Sequence, residues 1–173
     1  CPAPCETSCT LSINSSPVAI TQLECAIAER AFAEGWATPR PPRRETGRRV
    51  AVIGSGPAGL AAAQGLRRQG HTVSLFERAS RIGGLLRFGI PDFKLQKSAL
   101  DRRLAQLKAE GVEFETGVTI GDDLSVRYLR KKFDALVRAI GAGQPRDLAV
   151  PGRGYEGIHL AMEYLGQENL AGG

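Results

Sequence analysis

The residues best suited to chemistry are the glycines of the loop Gly54-Ser-Gly-Pro-Ala-Gly59. In a G-x-G-x-x-G loop, Gly54 permits a tight turn, Gly56 lets the backbone approach a diphosphate without an intervening Cβ, and Gly59 lets the next helix pack closely on the strand. Helix N-termini also direct free N–H groups and a positive dipole at phosphates. The loop therefore predicts a dinucleotide site that includes Pro57 and Ala58, the first residues after the second glycine.

The acidic residue Glu77 and the glycine pair Gly83-Gly84 follow the loop in the sequence. Glu77 ends the next predicted strand, where its carboxylate can accept hydrogen bonds from ribose hydroxyls and would repel a 2′-phosphate. This argues against NADP at this site and leaves FAD or NAD. The pair Gly83-Gly84 lets another backbone segment close over the pyrophosphate and ribityl chain of a longer cofactor. With Phe-Glu-Arg78, which resembles the FAD-type motif, these features favour FAD.

Cysteines form the second chemical signal. Cys1, Cys5 and Cys9 are evenly spaced near the start, and Cys25 lies on a predicted helix. Disulfides suit an oxidising compartment, and four-cysteine zinc knuckles usually contain C-x2-C pairs, so both are disfavoured. Three thiolates in one loop suit three irons of a 4Fe-4S cubane. The fourth ligand is either Cys25 or its neighbour Glu24, and the two point about 100° apart on a helix.

The elements around the cysteines form a small N-terminal unit. Residues 1–16 have no apolar period and are predicted to be a loop held by something other than a core. An apolar stripe predicts a helix over 17–34, with Ser16 as N-cap and Gly35 as the stop. We therefore divide the chain into a helical iron-sulfur segment at 1–37, a Pro- and Arg-rich linker at 38–47, and a dinucleotide-binding domain at 48–173.

The domain at 48–173 alternates strands and helices. The predicted strands are Arg49–Ile53, His71–Glu77, Val112–Thr116 and Ala135–Ile140, the last ending at Gly141, and the predicted helices are Leu60–Gln69, Leu95–Glu110 and Ser125–Lys132. Such an order requires a largely parallel sheet covered on both faces. The fold class is thus α/β, a Rossmann-like FAD-binding domain with a three-layer parallel sheet, preceded by a small α-helical iron-sulfur segment.

Composition limits the remaining possibilities. At 173 residues, 42% hydrophobic and 24% charged, the chain can bury one sizeable core plus a small appendage. The net charge of +5 comes largely from scattered arginines without interleaved aromatic residues, which argues against nucleic-acid binding. Without a signal or membrane-spanning segment, we predict a soluble cytoplasmic protein. The start at Cys1, without methionine, suggests a piece of a longer protein.

Four stretches together resemble one enzyme family. They are Cys1-Pro-Ala-Pro-Cys-Glu-x-x-Cys9, the glycine loop with its Leu-Ala-Ala-Ala continuation, Ile82–Leu95, and Pro145-Arg-Asp-Leu148 with Pro151-Gly. Along its whole length the chain is similar to the glutamate synthase small-subunit family. Dihydropyrimidine dehydrogenase and NADH-dependent ferredoxin:NADP oxidoreductase share the module but usually have Ile-Pro-x-Phe-Arg-Leu-Pro. The form Ile90-Pro-Asp-Phe-Lys-Leu95 favours glutamate synthase.

The resemblance implies an electron-transfer function. FAD would take hydride from NADPH, and 4Fe-4S clusters would pass electrons to a large subunit, where FMN reduces the 2-iminoglutarate formed from 2-oxoglutarate and glutamine-derived ammonia. By position in the family motifs, the residues implied to contact FAD are Gly56, Ala58, Glu77, Gly84, Leu85 and Lys94, with Ile120 at the adenine end. Those implied to hold the cluster are Cys1, Cys5, Cys9 and Glu24, so the resemblance selects Glu24 over Cys25.

The chain also departs from the family pattern. A first cysteine cluster, the NADPH domain and the C-terminal piece that closes over the flavin have no counterpart in the sequence. We therefore expect these 173 residues alone to bind cofactors weakly and to lack NADPH oxidation. A non-catalytic docking module that binds an adenine nucleotide structurally is the alternative.

Overall fold

A computed structural model of the chain describes residues 3–171. It divides into two compact units, Cys1–Thr38 and Pro39–Gly173. The first contains α1 (Pro4–Thr7), a 3-10 helix (Thr10–Ile13) and α2 (Ile20–Ala33). The prediction of a loop over 1–16 is therefore wrong for much of that stretch, because short helical turns too brief to show an apolar period form there.

The start of α2 also differs from the prediction. Ser16 is not its N-cap, since the helix begins at Ile20 and Ala19 occupies the cap position without a side-chain hydrogen bond. Glu6 on α1 takes over this function, because its carboxylate accepts a hydrogen bond from the first-turn N–H of Thr21 at 2.9 Å. Gly35 ends the helix as predicted, with φ of +72°.

The apolar stripe of α2 is not buried within this unit. Leu23 is 56% exposed and Ile27 is 67% exposed. No residue of α1, the 3-10 helix or α2 is buried. In the described part of this unit, the helices therefore form no core of their own.

The second unit contains a parallel sheet. Its elements are β1 (Arg49–Ile53), α3 (Pro57–Arg68), β2 (Thr72–Glu77), α4 (Leu85–Phe88), α5 (Lys97–Ala109), β3 (Val112–Thr116), α6 (Val126–Lys132), β4 (Ala135–Arg138) and α7 (Ala161–Ala171). The strand order is β3-β2-β1-β4 and every pair is parallel. This confirms the predicted α/β architecture. None of the helices described between residues 3 and 171 has the length and apolar character needed to cross a membrane.

Neighbouring strand residues face opposite sides of the sheet, as the two-residue period of a strand requires. On one face Val52 and Leu75 pack with residues of α3 and α5, and on the other Ala51 and Phe76 pack with α6. The rings of Phe76 and Phe133 meet edge to face at 5.9 Å. Helices thus cover both faces, giving three layers.

Helix boundaries depart slightly from the sequence prediction. Helix α3 begins at Pro57 rather than at Leu60, because proline lacks an N–H and suits the first helical position. The C-terminal helix α7 was not predicted, since its sequence, which includes Gly166, has no clear apolar stripe.

The stretch predicted as a linker is tied to the amino-terminal ends of the strands. Glu45 pairs with Arg67, Thr46 donates a hydrogen bond to the carbonyl of Gly70 at 3.1 Å, and Arg48 pairs with Asp134 at 3.1 Å. Gly70 precedes β2 and Asp134 precedes β4. This segment therefore runs along the edge of the sheet opposite the strand carboxyl ends.

A buried carboxylate anchors that segment. Glu110 is fully buried and accepts hydrogen bonds from Arg68 at 2.6 and 3.0 Å, from Gln64 at 3.0 Å and from the backbone N–H of Arg40 at 3.1 Å. Burial opposes ionisation, but the hydrogen bonds from Arg68, the Arg40 amide and Gln64 outweigh it and hold the pKa of Glu110 below its usual range.

Replacing this carboxylate tests its contribution to stability. We expect Glu110→Gln to lower the free energy of unfolding by about 1–3 kcal/mol at neutral pH, because the charge-assisted bonds to Arg68 are lost. A carboxyl whose folded pKa is depressed stabilises the fold above its unfolded pKa, about 4.3, and this contribution disappears as pH falls through the folded value. The variant should therefore lose less stability than wild type on acidification.

Urea unfolding at pH 7 and pH about 3.5 measures both effects. Glu115→Gln, an exposed carboxyl on β3, is the matched control and should change little. Parallel loss of stability in wild type and Glu110→Gln on acidification would contradict the assignment.

Candidate functional site

The carboxyl ends of β1, β2 and β4 bring three predicted loops together. Gly54 follows β1, and its N–H donates to the carbonyl of Phe76 on β2 at 2.8 Å. A Cβ placed on Gly54 would lie 2.4 Å from the carbonyl oxygen of Ala139, just after β4. Only glycine allows this approach, and φ of +102° favours it independently. Gly54, Glu77 and the 139–141 segment therefore meet at one edge.

The remaining loop glycines have different roles. A Cβ on Gly59 would lie 1.9 Å from the carbonyl oxygen of Gly54, so this glycine is required for helix and strand to pack. A Cβ on Gly56 would meet no atom within 4 Å, and φ of −66° suits any residue. The fold therefore does not require glycine at position 56, and its open side is where a ligand could approach the backbone.

The start of α3 completes the cradle. Gly56 occupies the N-cap position and, being glycine, has no side chain to accept a hydrogen bond from the first-turn N–H groups. Pro57 has no N–H and is exposed, as is Ala58. Anions are stabilised at such a helix N-terminus by the free N–H groups and the dipole.

Glu77 points towards the glycine loop. It is buried, and its Oε2 accepts hydrogen bonds from the N–H of Ser55 at 3.0 Å and from the Ser55 hydroxyl at 2.5 Å. Its Oε1 accepts one bond, from the N–H of Ala79 at 2.9 Å. A carboxylate offers about four acceptor directions. Within residues 3–171, one acceptor direction on Oε1 therefore has no hydrogen-bond donor.

The second glycine pair packs directly on the first loop. A Cβ on Gly84, whose φ is +51°, would lie 2.8 Å from the Cα of Gly56. The N–H of Gly83 donates to the Ser55 hydroxyl at 3.0 Å. Leu85 begins α4 beside them and is 56% exposed. The structure thus brings Gly56 and Gly84 together, although they are far apart in sequence.

Two residues of this site were missed from the sequence. Ser55 is fully buried and bonds both Glu77 and Gly83. Arg87 is also buried, donates to the carbonyl of Ile82 at 2.7 Å and pairs with Asp101. The signal for Arg87 was an isolated charge in the apolar run Leu-Leu-Arg-Phe. Ser55 gave none, because that position of the motif accepts many residues.

For the other predicted residues, the structure shows exposure or core packing. Arg78 is exposed beside Glu77, and Lys94 is exposed on the turn before α5. Ile120 packs against the cluster that contains Phe76, so its side chain contributes to the core. Gly141 is exposed with φ of +68°.

The predicted cluster ligands do not assemble in the described residues. Cys5 on α1, Glu24 and Cys25 are exposed, and Cys9 is half-buried. Between residues 3 and 171, no three His, Cys, Asp or Glu side chains come close enough to hold a metal ion. Cys1 lies outside the described residues.

One thiol nevertheless has a distinctive environment. The backbone N–H of Val18, followed by those of Leu11 and Ser12, holds the pKa of the Cys9 thiol below its usual range. Hydrogen bonds that stabilise a thiolate are also a property of metal-bound cysteines.

Comparison with known proteins agrees with this geometry. A family described as an NAD(P)-binding Rossmann-like domain matches residues 52–99. The solved structure of Mycobacterium tuberculosis FprA in complex with NADPH superposes with a TM-score of 0.63 at 27% identity, covering 70% of this chain and 29% of that one. FprA is described as an oxidoreductase.

Sequence relatives are more specific. The glutamate synthase [NADPH] small chain of M. tuberculosis is 61% identical over 165 residues, which is 95% of this chain and 34% of that protein. The chain is a homologue of glutamate synthase small chains. The glutamate synthase [NADH] of Schizosaccharomyces pombe is 54% identical over 167 residues, 95% of this chain and 8% of that protein. The present chain thus spans about a third (34%) of the length of the M. tuberculosis glutamate synthase small chain.

Two glycine variants separate ligand binding from folding. We expect Gly56→Ala to change the free energy of unfolding by less than about 0.5 kcal/mol, because the added methyl meets open space. The same methyl should weaken FAD binding more than about tenfold, since it would stand between backbone and diphosphate. Gly59→Ala should instead destabilise the fold by about 2–4 kcal/mol through its clash with Gly54.

Urea unfolding without ligand and fluorescence titration with FAD check both expectations. The assignment of Gly56 to the ligand would fail if Gly56→Ala bound FAD as tightly as wild type.

Proposed function

We propose that the 54–59 loop, Glu77 and the Gly83-Gly84 loop bind FAD, and that the chain is the FAD-binding portion of an electron-transferring glutamate synthase small subunit. The observation that carries the proposal is the contact of Gly84 with Gly56 beside an open helix N-terminus. The bare backbone of Gly56 then borders the space that a diphosphate would occupy, and Gly84 lies against it. The homology to glutamate synthase small chains supports the same assignment.

FAD is favoured over NADP at this position for an electrostatic reason. The buried Glu77 carboxylate retains one free acceptor direction, which suits a ribose hydroxyl. A 2′-phosphate there would place two like charges in contact. NAD remains the second candidate because the matched family is described as NAD(P)-binding. The loop with Gly83 and Gly84 favours FAD over NAD, because it lets a second backbone segment close over the pyrophosphate and ribityl chain of the longer cofactor.

Each residue has a defined part in holding the cofactor. Backbone N–H groups at Gly56 and Ala58 would bind the diphosphate, Glu77 the ribose, and the ammonium of Lys94 would add charge to the diphosphate. When bound, FAD supplies hydride acceptance and one-electron transfer. The chain contributes orientation, because the buried Ser55 holds the Glu77 carboxylate in place.

The complete reaction extends beyond this chain. We propose that NADPH, bound elsewhere in the full-length cytoplasmic protein, reduces the FAD, and that a large subunit uses the electrons to make glutamate from glutamine and 2-oxoglutarate. The names of the relatives support this, although the chain spans only 34% of the small chain. A related electron-input subunit and a non-catalytic docking module are the alternatives.

We further propose that Cys1, Cys5, Cys9 and Glu24 hold a 4Fe-4S cluster. The N–H groups around Cys9 support it, because they stabilise the thiolate that an iron would bind. The described residues alone do not bring three of these ligands together, so assembly requires Cys1 and a closer approach of Cys5, Cys9 and Glu24 to one another than the structure shows.

Flavin content tests the main proposal. The full-length protein should purify with bound FAD, identified by absorption and by chromatography of the released cofactor. Lys94→Glu should reduce FAD retention at least about tenfold, because it replaces an attraction to the diphosphate with a repulsion. Lys108→Glu, an exposed lysine at the end of α5, is the matched control and should retain FAD. Purified protein without flavin that also fails to bind added FAD would refute the proposal.

Cysteine variants test the cluster separately. Cys5→Ser and Cys9→Ser should remove the iron and the paramagnetic resonance signal of this one cluster from the reduced, anaerobically prepared full-length protein, whereas Cys25→Ser should leave both unchanged. Glu24→Gln should alter the signal if Glu24 is the fourth ligand. Loss of the cluster in Cys25→Ser instead would assign that role to Cys25.

A further inference from the structure

We infer that Ser55 is a positioning residue that fixes Glu77 and the second glycine loop in the geometry that binds the cofactor; this rests on the proposed FAD site. Its side chain is fully buried and lies beneath the loop rather than on the open side of Gly56. Ser55 therefore acts through its neighbours and not by contact with the ligand.

The hydroxyl of Ser55 uses its donor and one acceptor position. It donates its hydrogen to Oε2 of Glu77 and accepts a hydrogen bond from the N–H of Gly83 at 3.0 Å. A serine hydroxyl has only one hydrogen. Because that hydrogen goes to the carboxylate, the bond from Gly83 has a defined direction, and the three groups form one polar chain.

The hydrogen bonds of Ser55 connect three segments whose relative positions define the proposed site. Ser55 belongs to the loop after β1, Glu77 to the end of β2, and Gly83 to the loop that carries Gly84 against Gly56. Both bonds that Ser55 makes to Glu77 fall on Oε2, which leaves the free acceptor direction on Oε1. Removing the hydroxyl would leave the carboxylate held only by the backbone N–H groups of Ser55 and Ala79, and would leave the buried N–H of Gly83 without this partner.

Arg87 holds the other end of the second loop. Its guanidinium donates to the carbonyl of Ile82, directly before Gly83, and pairs with Asp101 on α5. The loop is therefore fixed on both sides, by Ser55 at Gly83 and by Arg87 at Ile82. Ser55 differs from Arg87 in that it also bonds Glu77, the residue proposed to bind the ribose.

The test measures FAD dissociation constants for variants of the full-length protein by fluorescence titration. Ser55→Ala should raise the dissociation constant about tenfold, the effect of losing one hydrogen bond to a charged group and stranding a buried donor. Ser74→Ala is the matched control, because Ser74 is a buried serine on β2 whose hydroxyl bonds Glu113 outside the site. It should leave FAD affinity unchanged.

A double-variant cycle shows whether Ser55 acts through Glu77. The loss in Ser55→Ala/Glu77→Ala should be smaller than the product of the two single losses, because both changes disrupt the same polar chain. Fully multiplicative losses would overturn the inference.

If Ser55→Ala folds poorly, Ser55→Thr and Ser55→Val isolate the hydroxyl, because the two side chains have nearly the same shape. The Ser55→Thr variant should bind FAD more tightly than the Ser55→Val variant. Equal affinities of these two variants would overturn the inference.

These outcomes are distinguishable from failure of the FAD site itself. If wild type and all variants fail to bind FAD, the proposed function is wrong. If wild type binds FAD and Ser55→Ala binds equally well, the site stands and the role of Ser55 is refuted.

Discussion

The structure of this chain depends on close backbone approach at the carboxyl edge of its sheet. Gly59 packs against the carbonyl of Gly54, and Gly84 packs against the Cα of Gly56, at separations that no side chain would allow. These contacts let α3 pack closely on β1 and hold the second loop against the first. Beside them, the direction of Glu77 is set by its hydrogen bonds to Ser55 and Ala79.

The two edges of the sheet serve different needs. At the carboxyl edge, backbone groups and one carboxylate are left able to accept a ligand. At the amino edge, Glu110 has its charge satisfied by Arg68, Gln64 and the Arg40 amide, and the 39–48 segment is fixed there. Charges at the amino edge are therefore satisfied within the protein, whereas the carboxyl edge keeps groups that can accept a ligand.

The sequence predicted the parallel sheet and the glycine loop after β1 well, because strand periodicity and the spacing of Gly54, Gly56 and Gly59 are local signals. It could not show that Ser55 joins Glu77 to Gly83, since that connection depends on three segments meeting in space. The start of α2 was misjudged for the same reason: its cap comes from Glu6 rather than from the adjacent Ser16. The cysteine ligand set stays a prediction, because Cys1 lies outside the described residues.

The most direct measurement is a crystal structure of the full-length protein with FAD bound. We expect the diphosphate to lie within hydrogen-bonding distance of backbone N–H groups between Gly56 and Gly59, and a ribose hydroxyl to lie on Oε1 of Glu77. A diphosphate bound elsewhere, or a Glu77 carboxylate turned away from the ribose, would contradict it.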